Sequence, residues 1–182
     1  MSFHEGLDDL GTYYQIRKVD GTTPILFIHG VGLDHSMWSP QTDFFKNQTT
    51  IVYDLIGHGY STCTQHEVNF EDFSYQIESL LQILRIQKVI IIGFSLGGLI
   101  AAHFSSTRKH YALKTVLFGT IFNRTDEQQK KAAERFINIQ ETYLNASQQL
   151  DRWFNQDYLS SHPNIAEKIT NILNNNNHDD FL

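Results

Sequence analysis

The stretch Lys88-Val89-Ile90-Ile91-Ile92-Gly93-Phe94-Ser95-Leu96-Gly97-Gly98-Leu99-Ile100 decides the fold. Its first half is a short, continuously apolar, β-branched run, the pattern of a strand buried on both faces of a parallel sheet. It leads straight into Gly93-Phe94-Ser95-Leu96-Gly97, and the Leu-, Ile- and Ala-rich residues 96–104 predict a helix beginning immediately after Ser95. Strand, G-x-S-x-G and helix in that order read as a nucleophile elbow. The sharp turn forces Ser95 into a strained backbone conformation, and Gly93 and Gly97 let strand and helix approach where a Cβ would collide. Ser95 Oγ then stands clear of the sheet, while the Leu96 N–H at the helix start points toward a developing oxyanion. A phosphate-loop reading of the same turn fails on its residues. A dinucleotide fingerprint needs Gly where Ser95 stands, and a Walker A motif needs Gly-Lys-Ser/Thr, which this chain lacks.

Working outward, Ile25-Leu26-Phe27-Ile28 is a second buried strand, ending at His29-Gly30-Val31-Gly32. Residues 50–53 form a third, closed by Asp54-Leu55-Ile56-Gly57-His58-Gly59-Tyr60-Ser61, and residues 112–118 a further one. Residues 12–19 alternate and run into Gly21-Thr22-Thr23-Pro24, which reads as a hairpin entry. Residues 37–47 predict a helix. From Asn69, a good N-cap, the residues Phe70, Phe73, Ile77, Leu80, Leu81 and Leu84 recur every three or four positions, as on an amphipathic helix. Strands alternating with helices predict an α/β fold with a mainly parallel sheet. Beyond Asn123 Gln, Asn and charge rise and apolar residues keep helical spacing: Ala133, Phe136, Ile137, Tyr143, Leu144, then Leu150, Trp153 and Phe154. A last helix starts at Pro163 and carries Ile165, Ile169, Ile172 and Leu173. The expected organisation is a core over 1–123 and helices laid over the sheet as a cap over 124–182, with the run Asn174 to Asn177 a frayed helix end or loop.

With 182 residues, 41% of them hydrophobic, the chain can bury one substantial core. Its net charge of -6 is spread along the chain and no basic stretch is interleaved with aromatics, so nucleic acid is not an expected partner. The N-terminus Met1-Ser2-Phe3-His4-Glu5-Gly6 has no basic or apolar leader behind it and no segment is apolar enough to span a bilayer, so a cytoplasmic protein without a membrane partner is expected. The single cysteine, Cys63, has no partner for an internal disulfide and reads as a spectator. The sequons at Asn47, Asn123 and Asn145 read as chance matches. No metal or cofactor is expected. His29, Asp34, His35, Asp54 and His58 are not read as a metal-ligand set, and His103 and His110 read as structural.

The combination His29-Gly30-Val31-Gly32, Asp54-x-x-Gly57-His58-Gly59-x-Ser61 and Gly93-Phe94-Ser95-Leu96-Gly97 is similar to the α/β-hydrolase superfamily, especially the branch holding 3-oxoadipate enol-lactonases and meta-cleavage-product hydrolases. Ile56 stands where that family usually has Pro. The resemblance implies Ser95 as nucleophile, with Val31 and Leu96 giving the two N–H donors of an oxyanion hole. His29, which precedes the serine, reads as a loop anchor rather than a base. The family places its triad acid and His after a later strand and near the C-terminus, and the resemblance gives no position for either here. Asp126, Asp151, Asp157, His162 and His178 follow Ser95 but fall in the expected cap. The chain is therefore expected to be a fragment, inactive alone, with the C-terminal part of the core missing and strand 112–118 left as an apolar edge. The implied activity is that of a serine hydrolase on a small ester, lactone or C–C bond substrate; acyl transfer and cofactor-free oxygen chemistry would look the same. The alternative is a non-catalytic binding or scaffold protein on the same fold. Trp38, Phe122, Phe136, Trp153 and Phe154 are candidates for pocket lining or for packing, and oligomeric state is not legible.

Overall fold

The computed structural model describes residues 1–62, 67–121, 123–142 and 146–175, without the side chains of 135–142 and 175. Six strands form one sheet: β1 (Ser2–Leu7), β2 (Tyr13–Lys18), β3 (Ile25–Ile28), β4 (Thr50–Tyr53), β5 (Val89–Phe94) and β6 (Ala112–Phe118). Their order is β1-β2-β4-β3-β5-β6. The pairs β1/β2 and β2/β4 are antiparallel, whereas β4/β3, β3/β5 and β5/β6 are parallel. After β3 the chain steps to one side to form β4 and then returns to the other side as β5. The strand order thus reverses between β3 and β5, and in open α/β sheets the carboxyl ends at such a point are where a ligand crevice forms.

The alternation of β3 explains why it is apolar throughout. Leu26 and Ile28 face the helices α2 (Phe70–Ile83) and α3 (Leu96–Thr107), packing with Ile77, Leu80, Ile100, Ala101 and Phe104. Ile25 and Phe27 face the other way onto Trp38 and Val52. Each such side chain removed from water contributes about 1.5–3 kcal/mol before entropy is counted. Asn69 caps α2 as its type predicts: its Oδ1 accepts from the Glu71 and Asp72 N–H groups at 2.8 and 3.3 Å, and Asp72 returns the contact to the Asn69 N–H at 2.9 Å.

Four local readings change. The first strand, β1, was missed because Ser2–Leu7 is mostly exposed and carries no apolar face. The hairpin is the one it makes with β2, closed by the turn in which the Thr12 N–H donates to Asp8 Oδ1; β2 and β3 are not neighbours, because β4 lies between them. Residues 37–47 are not one helix but a 3-10 turn, His35–Trp38, followed by the short α1 (Ser39–Phe44). Asp34 caps that turn and Pro40 opens the α-helical part.

The remaining helices are α4 (Asp126–Thr142), α5 (Ala146–Trp153), α6 (Gln156–Ser161) and α7 (Pro163–Asn175). The fourth correction is α6, capped by Asn155, a short polar helix without apolar periodicity to announce it. Helix α7 buries Ile172 and Leu173 and reaches the core through Lys168, whose Nζ donates to the Ser36 carbonyl at 2.6 Å and to Ser39 Oγ at 2.5 Å. Cys63, Phe122, Tyr143, Leu144, Asn145, Asn176, Asn177 and His178 lie outside the described residues. No described helix is long and apolar enough to cross a membrane.

Candidate active site

Ser95 joins β5 to α3 with φ 52 and ψ -115, a conformation that costs a non-glycine residue about 1–3 kcal/mol. The surrounding backbone leaves it no alternative. A Cβ on Gly93 would fall 2.1 Å from the Gly97 carbonyl oxygen, and one on Gly97 would fall 2.3 and 2.4 Å from the carbonyl oxygens of Ile28 and His29. The two glycines thus hold α3 directly against both β5 and β3, at distances no side chain survives. From the far side the Ser95 N–H donates to the Phe118 carbonyl at 2.9 Å, and Thr120 Oγ1 donates to the Ser95 carbonyl. Ser95 is half-buried, and among the described residues no side chain is hydrogen-bonded to its Oγ.

The loop after β3 reaches the same place. A Cβ on Gly30 would lie 3.2 Å from Ser95 Cβ and 3.1 Å from the Phe94 ring. Residues 30–33 make a tight turn, in which the Leu33 N–H donates to the Gly30 carbonyl at 3.2 Å and Gly32 takes φ 72 as a type II turn requires. Val31 is half-exposed at the tip of this turn. Leu96 is the first residue of α3, so its N–H is one for which the helix supplies no acceptor.

His29 is fully buried and both its ring nitrogens are engaged: Nδ1 lies 2.8 Å from the Gly30 carbonyl, and Nε2 accepts from the Leu55 N–H at 3.0 Å. Those contacts fix the Nδ1–H tautomer. Burial first, then the neighbouring His58, push its pKa down to about 3, so the ring is neutral at physiological pH and ties the loops after β3 and β4 together. Neither nitrogen is available to take a proton from Ser95.

A second buried tie was not evident from the residues alone. The Asp54 carboxylate is wholly inaccessible; its Oδ1 accepts from the His35 N–H at 2.7 Å and lies 2.8 Å from His35 Nδ1, while Oδ2 accepts from the Tyr60 N–H at 2.9 Å. Burial alone would lower the His35 pKa, but the hydrogen bond and charge of Asp54 outweigh it and raise it. Gly59, with φ 55, leaves room for that carboxylate, since a Cβ there would fall 2.3 Å from Oδ2. The Asp54-x-x-Gly57-His58-Gly59-x-Ser61 segment is thus a loop wrapped on its own first residue. Ser61 Oγ closes it on the Asp54 carbonyl at 2.7 Å.

Other sequence candidates are placed elsewhere. Among the described residues no three His, Cys, Asp or Glu side chains converge as a metal-ligand set. His103 Nδ1 lies 2.8 Å from Ser74 Oγ between α3 and α2, and the His110 ring lies tilted against Tyr111 with centroids 4.3 Å apart. His162 is engaged within α6, where Nδ1 is 3.1 Å from the Tyr158 carbonyl and the ring stacks on Tyr158. Asp151 accepts from Gln156 Nε2 at 2.6 Å. Trp38 packs in the core against Phe27 rather than lining a cleft, and Phe154 stacks on Tyr158. Thr120 and Gly98 were missed: a Cβ on Gly98 would lie 2.1 Å from Thr120 Oγ1, so the two form one contact. The signal available was Gly119-Thr120 directly after a strand.

Comparison with known proteins identifies the fold. The chain is 29% identical over 134 residues to the (E)-2-((N-methylformamido)methylene)succinate hydrolase of Acinetobacter baylyi, covering 73% of this chain and 51% of that one. It is 29% identical over 162 residues to 3-oxoadipate enol-lactonase 1 of the same organism, covering 87% and 60%. The chain thus spans between half and three-fifths of these relatives' lengths. The crystal structure of the enol-lactonase from Burkholderia xenovorans LB400 superimposes with a TM-score of 0.83 at 22% identity, over 92% of this chain and 66% of that one. Residues 23–164 match the family described as alpha/beta hydrolase fold. With a mainly parallel sheet and a serine turn wedged between β3, β5 and α3, this chain belongs to the alpha/beta hydrolase fold family.

Proposed function

We propose that the protein is a cofactor-free serine hydrolase acting on a small ester, lactone or C–C bond substrate, with Ser95 as its nucleophile. The observation that carries this reading is the strained Ser95, fixed at φ 52 by the Gly93 and Gly97 contacts and flanked by the Gly30 turn. In the proposed mechanism Ser95 Oγ attacks the substrate carbonyl and the N–H groups of Val31 and Leu96 stabilise the oxyanion. Holding those donors on a turn and a helix end that the fold already fixes means that no reorganisation is needed as charge develops. The proton acceptor is a His with its acid partner, neither of which is among the described residues; His29 is excluded by its two hydrogen bonds. The helices α4 to α7 act as a cap over the carboxyl end of the sheet, with Lys168 as one of its contacts to the core. The hydrolases and enol-lactonases among the relatives favour this class without specifying the substrate.

The test is steady-state hydrolysis of an aryl acetate by the protein expressed from its whole gene, alongside Ser95→Ala. Turnover falls at least a thousandfold in the variant while its circular dichroism is unchanged. Retained turnover would remove Ser95 from the reaction. No turnover in either protein would favour a binding role for the fold.

A further inference from the structure

A hollow of about 510 Å³ lies at the opposite end of β5 from Ser95. Its floor is apolar, built from the buried Leu81 and Tyr111 with the half-buried Ile86. Its rim carries Arg85, Lys88 and His110, with Gln82 and Gln87 between them, all exposed. Among the described residues no carboxylate lines it, in a chain whose net charge is -6. The nearby Arg108 shows the contrast: its guanidinium is taken up by Glu71 and by Glu78. Among the described residues Arg85, Lys88 and His110 have no such acidic partner.

The backbone holds Arg85 over this hollow at some cost. It sits just after α2 with φ 58, the left-handed position that closes the helix end and that ordinarily falls to glycine. The Ile86 N–H donates to the Leu81 carbonyl at 2.8 Å and the Arg85 N–H to the Gln82 carbonyl at 3.0 Å, so the backbone that carries Arg85 is tied to the last turn of α2. A planar fork donor, an ammonium and an imidazole around an apolar floor match an anionic head group carried on an apolar body.

We propose that this hollow is a binding site for a small organic anion, a carboxylate or phosphate joined to an aromatic or short aliphatic body. It is distinct from the Ser95 site. The two are separated by the length of β5, about 20 Å at roughly 3.3 Å per residue. Phosphate and carboxylate heads offer the same charge and acceptor oxygens, and the experiment distinguishes them.

The test is titration of the isotope-labelled protein, expressed from its whole gene, with phenyl phosphate and with phenylacetate, followed by amide chemical shifts, with inorganic phosphate and benzyl alcohol as comparisons at constant ionic strength. Saturable shifts centred on 81–88 and 110–111 are expected from at least one aryl anion; the tighter of the two names the head group. Inorganic phosphate and benzyl alcohol bind at least tenfold more weakly. Arg85→Gly combined with Lys88→Gln weakens the aryl anion at least tenfold, and because glycine suits φ 58 the variant stays folded. The following outcomes overturn the proposal. They are shifts that do not saturate, equal binding of benzyl alcohol, and unchanged affinity in the double variant. If these cations serve only to complement the ends of α2 and α3, the variant changes the melting temperature and no ligand-dependent shift is seen, which also overturns it.

Discussion

Strands β3 and β6 are the two parallel neighbours of β5, and both are apolar, yet the structure treats them in opposite ways. All four residues of β3 are buried, and its last carbonyls are in close contact with α3 at Gly97. On β6, Leu113, Val116, Leu117 and Phe118 are between 47% and 60% exposed, and among the described residues the strand is the edge of the sheet. Both strands nonetheless support Ser95, β3 through jammed backbone and β6 through the Phe118 carbonyl and Thr120. Among the described residues the site therefore has one flank packed backbone to backbone and one held by two hydrogen bonds beside exposed apolar side chains. Perturbing the first should cost stability. Perturbing the second should change association.

The largest effect is expected from Gly97→Ala, which sets a Cβ against two carbonyl oxygens of the β3 flank with no side chain free to move aside. A loss above about 4 kcal/mol is expected, read as absence of a cooperative urea transition. A folded Gly97→Ala protein would mean that α3 and β3 are not locked together. Asp54→Ala comes next. It leaves the His35 N–H, His35 Nδ1 and the Tyr60 N–H without their acceptor inside the loop after β4, at a cost of about 3–4 kcal/mol in urea unfolding.

Acid should weaken the same flank. His29 is buried neutral with its pKa held at about 3, whereas in the unfolded chain it titrates near 6.5. Below 6.5 the unfolded state takes up a proton that the folded state refuses, so stability falls as pH drops toward 3. His58, lowered by its own burial, acts in the same direction. His35 acts oppositely: its pKa is raised, so its contribution is complete below 6.5 and is lost only as pH rises through the raised value. Between pH 6.5 and 5 the His29 contribution changes by about 1.6 kcal/mol, and His29→Gln should remove about that much of the loss of unfolding free energy over this range. An unaltered slope would place the acid sensitivity elsewhere. The smallest stability change is expected on the other flank. In the 182-residue chain Leu117→Lys should shift unfolding by less than about 0.5 kcal/mol while reducing concentration-dependent light scattering, because it adds charge to an apolar strand that is exposed among the described residues.

The same contrast explains how much could be read from the residues. The β5–Ser95–α3 turn was legible because its requirements are local: an apolar run, glycines at fixed offsets and a small-residue helix start. The α2 cap at Asn69 was legible for the same reason. What escaped was set by distant partners. β1 exists because β2 pairs with it, not because Ser2–Leu7 has a strand pattern. The burial of β3 and exposure of β6 follow from sheet order, which Ile-Leu-Phe-Ile and Ala-Leu-Lys-Thr-Val-Leu-Phe do not encode locally. Asp54 and His35 are 19 positions apart, and only the wrapped loop shows that the carboxylate is an anchor.

Covalent labelling tests the central claim most directly. The protein expressed from its whole gene is treated with a fluorophosphonate, and the modified residue is located by mass spectrometry beside Ser95→Ala. A single adduct on Ser95, absent from the variant, is the result the account predicts. Labelling of a different residue, or equal labelling of Ser95→Ala, would contradict it.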